Sequence, residues 1–336
     1  MPLRSPLQVC IVGAGAIGCT LAARLAGAGH TVNVLARGRT LEAIRRHGIV
    51  LHDLDGKHNA KVHADSDCAA LGEQDVVFLC TKAHALNELA PTLHPLLGPD
   101  TVVVPMINGV PWWYFHGEGG RFANRSIRAV DPDGRIGAAL APQRILGCVV
   151  FMTAETQSPG VAHSDNRHRM ILGEPDNRLS DRLESVRALI DSAGIEVRAS
   201  DRIRDALWTK IIANLTSNPL SVLTGATLAQ IYGHPELTPL VRKVLDEALL
   251  TAASYGAQVG YDPQSLMEMG ANMGDVRTSM LQDHELGRPL ELAAIGDAVV
   301  ELAELQGVNV PVTRDLLNLV RFRDRVRVSG ADAERD

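Results

Sequence analysis

The sequence predicts an α/β chain in two domains, a doubly wound parallel sheet over residues 1–200 and an all-α domain over 201–330, with a frayed tail over 331–336. Three observations predict it. Short apolar runs alternate with Ala/Leu-rich helical stretches through the first half, the pattern of parallel strands joined by crossover helices. From Asp201 only helical periodicity remains. Near the start, the apolar run 9–12 leads into Gly13, Gly15 and Gly18 at G-x-G-x-x-G spacing, then a helical stretch to Gly29 and a second strand over 31–36. Strand before and helix after are the context that turns this weak glycine spacing into a Rossmann-type dinucleotide turn.

Each residue of that turn has a physical task. Gly13 permits the tight bend, Gly15 admits the backbone close to a pyrophosphate, and Gly18 lets helix and strand pack. Ala14, Ala16 and Ile17 fill the spaces between the glycines and open the helix, whose unpaired N–H groups favour an anion. The bland alternative is a strand–helix turn with no ligand. The second strand ends in Arg37, where an acidic residue would bond the ribose 2′-hydroxyl. Arginine instead accommodates a 2′-phosphate, so the sequence favours NADP(H) over NAD(H). Arg39 can share that task; the alternative is a solvated surface arginine.

A short helix over 40–46 comes next, then a small hairpin of strands 49–52 and 60–63 around Asp55-Gly56. Buried strands follow at 75–80 and 101–104, with Lys82 and Asn108 just past their carboxyl ends, the edge where open α/β sheets bind ligands. Residues 110–144 are irregular and begin with Trp-Trp-Tyr-Phe at 112–115. This run reads as a lid beside the pocket, as a hydrophobic patch for an oligomer contact such as a homodimer, or as ordinary packing. Strands at 145–153, 161–163 and 170–172, a helix at 179–192 and a strand at 196–198 close the domain.

In the helical half, 237–255 carries an apolar stripe through Leu240, Val244, Leu245, Ala248, Leu249 and Ala252, and 289–306 does the same with Leu292, Ile295, Val299 and Leu302. Lys210, Asn214 and Asn218 recur at helical spacing among Leu207, Ile211, Ile212 and Leu215. A lysine with apolar neighbours loses solvation in its charged form, which lowers its pKa towards that of a general acid. The competing reading is a polar stripe facing water. Pro219 is expected to end or kink this helix just after Asn218. Further on, Ser279 and Asp283 stand one helical turn apart, and Pro289 suits a first helical position, which puts Glu291 in the first turn. Glutamate there is often only a cap.

A formal charge of -6, with no basic stretch interleaved with aromatics, argues against nucleic acid as a partner. The five cysteines show no C-x-x-C and no metal spacing, and read as reduced, buried thiols of a cytosolic protein. No apolar stretch is long enough to span a bilayer. Residues 4–23 imitate a signal peptide, but the glycine spacing favours the nucleotide fold. The 12 histidines include no H-E-x-x-H, so no metal is expected.

Taken together, Gly13-Ala-Gly-Ala-Ile-Gly18, Thr81-Lys82-Ala83, Asn108-Gly109, Leu207-Trp-x-Lys210 with Asn214 and Asn218-Pro219, Thr278-Ser-Met-Leu-Gln-Asp283 and Glu291 resemble the ketopantoate reductase (2-dehydropantoate 2-reductase) family over nearly the whole chain. The resemblance implies that Lys210 is the general acid, that Glu291 orients it, and that Asn108 lies between nicotinamide and substrate. It implies that Asn214, Asn218 and Ser279 hold the substrate, and that Arg37 and Lys82 contact NADPH. The implied reaction is NADPH-dependent reduction of a 2-oxo acid, ketopantoate to pantoate, in pantothenate biosynthesis. Two departures bear on the substrate. Residues 293–297 read Ala-Ala-Ile-Gly-Asp where the family commonly has Asp-Tyr-Ile-Asn-Gly, and 110–144 resembles an insertion. The rival expectations are the same chemistry on another 2-oxo or 3-hydroxy acid, or a non-catalytic NADPH-binding regulator.

Overall fold

The computed structural model describes residues 6–333, with side chains to 328. Its chain groups into two compact units, each described by itself. The first holds the chain up to Ile107, then Trp112–Ser126 and Asp131–Ile203; the second holds Asn108–Pro111, Ile127–Val130 and the chain from Arg204 on.

The first unit contains β1 (Gln8–Val12), α1 (Ala16–Gly27), β2 (Thr31–Leu35), α2 (Gly38–His47), β3 (Ile49–Asp53), β4 (Gly56–Ala60), β5 (His63–Asp65), α3 (Cys68–Leu71), β6 (Gln74–Leu79), α4 (Leu86–Leu89) and β7 (Leu97–Pro105). It continues with α5 (Arg135–Ala139), β8 (Gly147–Phe151), β9 (Glu155–Ser158), β10 (Val161–His163), β11 (Arg169–Gly173), α6 (Asp181–Ser192) and β12 (Glu196–Ala199). Five strands form one sheet in the order β5-β2-β1-β6-β7, all neighbours parallel. β1 is central because it is apolar throughout its buried stretch: Val9, Cys10, Ile11 and Val12 are all fully buried, as a parallel strand covered on both faces must be.

Two further sheets, β4-β3-β10-β9 and β12-β11-β8, complete the unit. α1 contacts β1 and β2 of the parallel sheet and also β3, β4 and β10 of the mixed sheet. It needs little side-chain bulk on either side, and it is built of Gly18, Cys19, Thr20, Ala22 and Ala23, with Leu21 and Leu25 filling the remainder. The hairpin pairs β3 with β4 in the register Ile49↔Ala60, so its second strand ends where the sequence pattern began it. His63–Asp65 belongs instead to the edge of the parallel sheet. Strand β9 has no counterpart in the sequence reading, because all its residues are exposed and polar.

The aromatic run is interior packing. Trp112, Trp113, Tyr114 and Phe115 are only 6%, 2%, 2% and 2% exposed. Tyr114 and Phe115 meet edge to face at 5.1 Å, and Phe115 lies 5.4 Å from Phe122. Gly147 in β8 leaves room for the Trp113 ring. Neither an exposed lid nor an exposed contact patch is built from these four side chains.

The second unit is helical: α7 (Ile203–Thr224, its first residue grouped with the first unit), α8 (Leu228–Gly233), α9 (Thr238–Ser254), α10 (Pro263–Ala271), α11 (Ser279–Glu285), α12 (Ala298–Gln306) and α13 (Pro311–Ala333). Val244, Leu245, Ala248 and Ala252 of the predicted α9 stripe are buried, joined by Val241. The frayed tail expected over 331–336 lies, from 334 on, outside the described residues.

Two local expectations are corrected here. Of the two outcomes expected at Pro219, an end or a kink, the end is corrected: α7 runs through it to Thr224. Proline removes one helical N–H, and nearby hydroxyls supply donors to carbonyls of the same stretch. Ser217 Oγ donates to the Ala213 carbonyl at 2.6 Å and Ser221 Oγ to the Asn218 carbonyl at 2.7 Å. Glu291 is not in the first turn of the last-but-one helix. That helix starts at Leu292, and the Glu291 carbonyl accepts its opening bond from the Ile295 N–H at 3.1 Å. Its first turn is the wide π-helical stretch Ala293–Asp297, which continues into α12.

Candidate active site

At the end of β1 the three glycines divide their work. Gly13 has φ +102°, and a Cβ there would lie 2.8 Å from the Thr81 methyl and 3.1 Å from the Cys80 carbonyl carbon. A Cβ on Gly18 would lie 2.0 Å from the Gly13 carbonyl oxygen. Both are therefore required by the fold itself. Gly15 is different: it is exposed, has an ordinary φ of −80°, and a Cβ there would meet nothing within 4 Å. It also opens α1 with no side chain capping the helix. The space in front of Gly15 and the uncapped N-terminal amides behind it form a cradle that a Cβ would fill, and these fit a pyrophosphate. Ala14, Ala16 and Ile17 line the same turn, half-buried.

Arg37 follows β2, exposed, in extended conformation at the start of α2. Gly38 and Arg39 beside it are also exposed, and the first turn of α2 has no acidic residue. Lys82, half-buried, follows β6 at the start of the turn Ala83–Ala85. Because β2 and β6 flank β1 on either side, the glycine turn, Arg37 and Lys82 share one carboxyl edge at the point where the strand order reverses. The Thr81 hydroxyl on this edge is buried without a hydrogen-bond partner.

The second unit gathers the other candidates. Lys210, Asn214 and Asn218 lie on α7 at intervals of one helical turn. Lys210 and Asn214 are half-buried and Asn218 is 4% exposed, so the stripe runs from partly open to fully enclosed and does not simply face water. Leu207, Trp208, Ile211, Ile212 and Leu215 beside it are buried. Ser221, one turn beyond Asn218, hydrogen-bonds the Thr278 hydroxyl at 2.6 Å. Thr278 caps α11 by accepting from the Leu281 N–H at 3.2 Å, which brings Ser279, the exposed first residue of α11, to the end of the same α7 row. Asp283 is buried and pairs with Arg288 at 3.7 Å.

Asn108, half-buried, also groups with this unit although it follows β7. The cause is local. The Val110 N–H donates to the Ala294 carbonyl at 2.8 Å. Gly109, at φ +84°, packs so closely on Ala294 that a Cβ would lie 2.3 Å from that carbonyl oxygen. Ala294 stands three residues past Glu291, whose side chain is enclosed at 6% residue exposure. The π-helical turn lets its carbonyl serve a neighbour.

No role was expected of Ser221, of the Ala294 carbonyl, or of Thr278 beyond its place in the 278–283 run. Thr278 had a signal, a threonine directly before a helical run; the carbonyl had none. Among the described residues no group of His, Cys, Asp and Glu is placed to hold a metal, and no helix is long and apolar enough to cross a membrane.

The chain resembles known proteins along nearly its whole length. Residues 9–177 match the family described as Ketopantoate reductase PanE/ApbA, and 202–324 match its C-terminal counterpart. A 2-dehydropantoate 2-reductase of Mesorhizobium japonicum is 40% identical over 316 residues, covering 94% of this chain and 97% of that one. A crystal structure from Ralstonia solanacearum, assigned to the ketopantoate reductases, superposes with a TM-score of 0.91 at 43% identity, over 96% and 99% of the two chains. D-mandelate dehydrogenase, solved with NADH and anilino(oxo)acetate, shares the fold at a TM-score of 0.82 and 19% identity, over 96% and 99%. On these matches, taken with the glycine turn and the lysine-bearing helix, the chain belongs to the ketopantoate reductase family, oxidoreductases that act on CH–OH groups.

Proposed function

We propose that this protein reduces a 2-oxo acid to its 2-hydroxy acid with NADPH, and that ketopantoate is the substrate. The observation that carries the reading is the α7 row, in which Lys210, Asn214 and Asn218 recur among buried apolar residues, with Thr278, the neighbour of Ser279, tied to its end through Ser221. Such a row suits an anionic, oxygen-rich small molecule and one positioned proton donor. The Mesorhizobium relative, named for the same reaction, supports the choice of substrate.

The main chain of Gly13, Ala14, Gly15, Ala16, Ile17 and Gly18 would hold the pyrophosphate, Arg37 the 2′-phosphate, and Lys82 and Asn108 the nicotinamide half. When bound, NADPH supplies a hydride to the carbonyl carbon of the substrate. Negative charge then develops on the carbonyl oxygen, and the Lys210 ammonium meets it and donates the proton that completes the hydroxyl. Glu291 holds the ammonium charged and aimed. Asn108, Asn214 and Asn218 orient the carbonyl and hydroxyl groups, and Ser279 donates to the carboxylate. Fixed charge and dipoles of this kind supply the largest share of catalysis in many enzymes.

A second reading keeps the chemistry and changes the acid. It rests on the run 293–297, where Ala293, Ala294 and Gly296 stand at the places of the Asp, Tyr and Asn that the family commonly carries, and Ala294 and Gly296 are buried. Following NADPH absorbance with ketopantoate, then with linear, branched and aromatic 2-oxo acids, separates the two. Ketopantoate should give the highest kcat/KM, and NADH should be the poorer reductant. Tight NADPH binding with no oxidation by any acid would leave a nucleotide-binding regulator in place of an enzyme.

A further inference from the structure

Residues 107–134 contain no regular helix or strand, so their backbone groups have no ladder to fix them. Asn108 stands near the start of this irregular stretch. Its backbone is held at two points by one helical run. The first is the Val110 N–H on the Ala294 carbonyl. The second lies two turns further along the run, where the Glu301 carboxylate accepts from the Arg128 N–H at 3.0 Å and the Ala129 N–H at 2.8 Å, one oxygen to each. Both held segments, Asn108–Pro111 and Ile127–Val130, group with the helical unit for this reason. Ile127, fully buried, seats the second.

We infer that Glu301 is a positioning residue for the reaction: with the Ala294 carbonyl it clamps the 108–130 segment and so sets the place of Asn108. One hydrogen bond beside a glycine fixes a point but not an orientation. Gly109 packs on Ala294 at the first point, and the second anchor holds the far end of the segment. A carboxylate suits the task because it presents two acceptor oxygens to two adjacent N–H groups and makes charge-assisted bonds. Alanine offers neither acceptor, whereas glutamine keeps one. The inference rests on the substrate role proposed for Asn108, and its test is arranged to separate the two.

The test compares Glu301→Ala, Glu301→Gln and, as control, Glu304→Ala on the same helix α12, which breaks an exposed pair with Arg314 of α13. Amide hydrogen exchange over 108–130, NADPH affinity, and KM and kcat for the reactive 2-oxo acid are read together. Glu301→Ala should speed exchange in 108–130 and raise KM about tenfold, the scale of one charge-assisted hydrogen bond. NADPH affinity should fall by less than the KM rises, since the dinucleotide turn is untouched and only the Asn108 contact to the nicotinamide half is disturbed. Glu301→Gln should recover part of the KM, and Glu304→Ala should match the parent. Unchanged exchange in Glu301→Ala overturns the clamp. Faster exchange with an unchanged KM overturns its role in positioning, as does an equal effect from Glu304→Ala. If Glu301→Ala does not fold, Glu301→Gln carries the same readouts. If no 2-oxo acid is reduced at all, the proposed function fails, while the exchange arm still decides the clamp.

Discussion

Two turns follow strands of the same parallel sheet, and both need glycine at positive φ. Gly13 ends β1 and Gly109 follows β7, at φ +102° and +84°. What crowds them differs. Gly13 is pressed by Thr81 and Cys80, which extend the neighbouring strand, while its carbonyl presses on Gly18 five residues along. Gly109 is pressed by Ala294, far along the chain and in the helical unit. The first turn includes a contact within its own few residues, Gly13 on Gly18, so it leaves a motif, although Thr81 and Cys80 press on it from the neighbouring strand. The second is built by a long-range contact with a π-helical turn, so it leaves none. A glycine after a strand thus reports either a cradle or a docking point, and only its neighbours tell which.

The largest effect expected is on chemistry and should leave both turns intact. Lys210→Ala should lower kcat about a hundredfold or more, the range for loss of a general acid, with NADPH binding retained in a fluorescence titration. Near-parental turnover would remove Lys210 from the mechanism and reduce the second unit to a scaffold.

Changing the two crowded glycines contrasts the turns directly. Gly18→Ala places a Cβ 2.0 Å from the Gly13 carbonyl oxygen, a clash that costs about 3 kcal/mol or more in a core that cannot relax. It should lower Tm and abolish NADPH binding. Gly109→Ala should also lower Tm and cut turnover, but weaken NADPH binding far less than Gly18→Ala does. If both variants lose the nucleotide alike, the proposed division of labour between the turns is wrong.

Gly15→Ala is the subtler probe, because its Cβ meets no protein atom within 4 Å. Tm should stay put while NADPH affinity falls about tenfold, since the added methyl occupies the space through which the pyrophosphate reaches the backbone. Unaltered affinity would mean that the dinucleotide lies elsewhere. Arg37→Ala should weaken NADPH by about tenfold and leave NADH unchanged, as loss of one charged phosphate contact implies; equal losses for both would assign Arg37 to something other than the 2′-phosphate.

The smallest expected effect concerns stability. All five cysteines are reduced thiols and lie in the first unit. Burial pushes the Cys10 and Cys19 thiols from the ordinary 9.0 up to about 12, and raises Cys80 as well. A raised thiol pKa means the unfolded chain releases protons first as pH climbs. The stability these thiols contribute is therefore fully present below pH 9 and lost between 9 and about 12. Tm should fall with pH across that window, with exchange rising first in β1, α1 and β6. A flat Tm profile would contradict it.

Much of this protein was legible in its residues. Apolar runs at 9–12, 75–80 and 101–104 placed three strands of the parallel sheet, because a strand buried on both faces admits little else. The glycine spacing marked the strand–helix turn after β1, and helical spacing placed Lys210, Asn214 and Asn218 in one row of α7, since both depend on residues within a few turns of one another. The tertiary structure decided what local spacing does not encode: that polar, exposed β9 pairs with β10, that α7 continues through Pro219, and that Glu291 precedes its helix. It also decided that the Val110, Arg128 and Ala129 amides meet one helical run, at Ala294 and Glu301. Those outcomes depend on which carbonyl meets which N–H after distant segments have packed, and a sequence pattern records the reach of a side chain along its own helix or strand, not the partner waiting at the end of it.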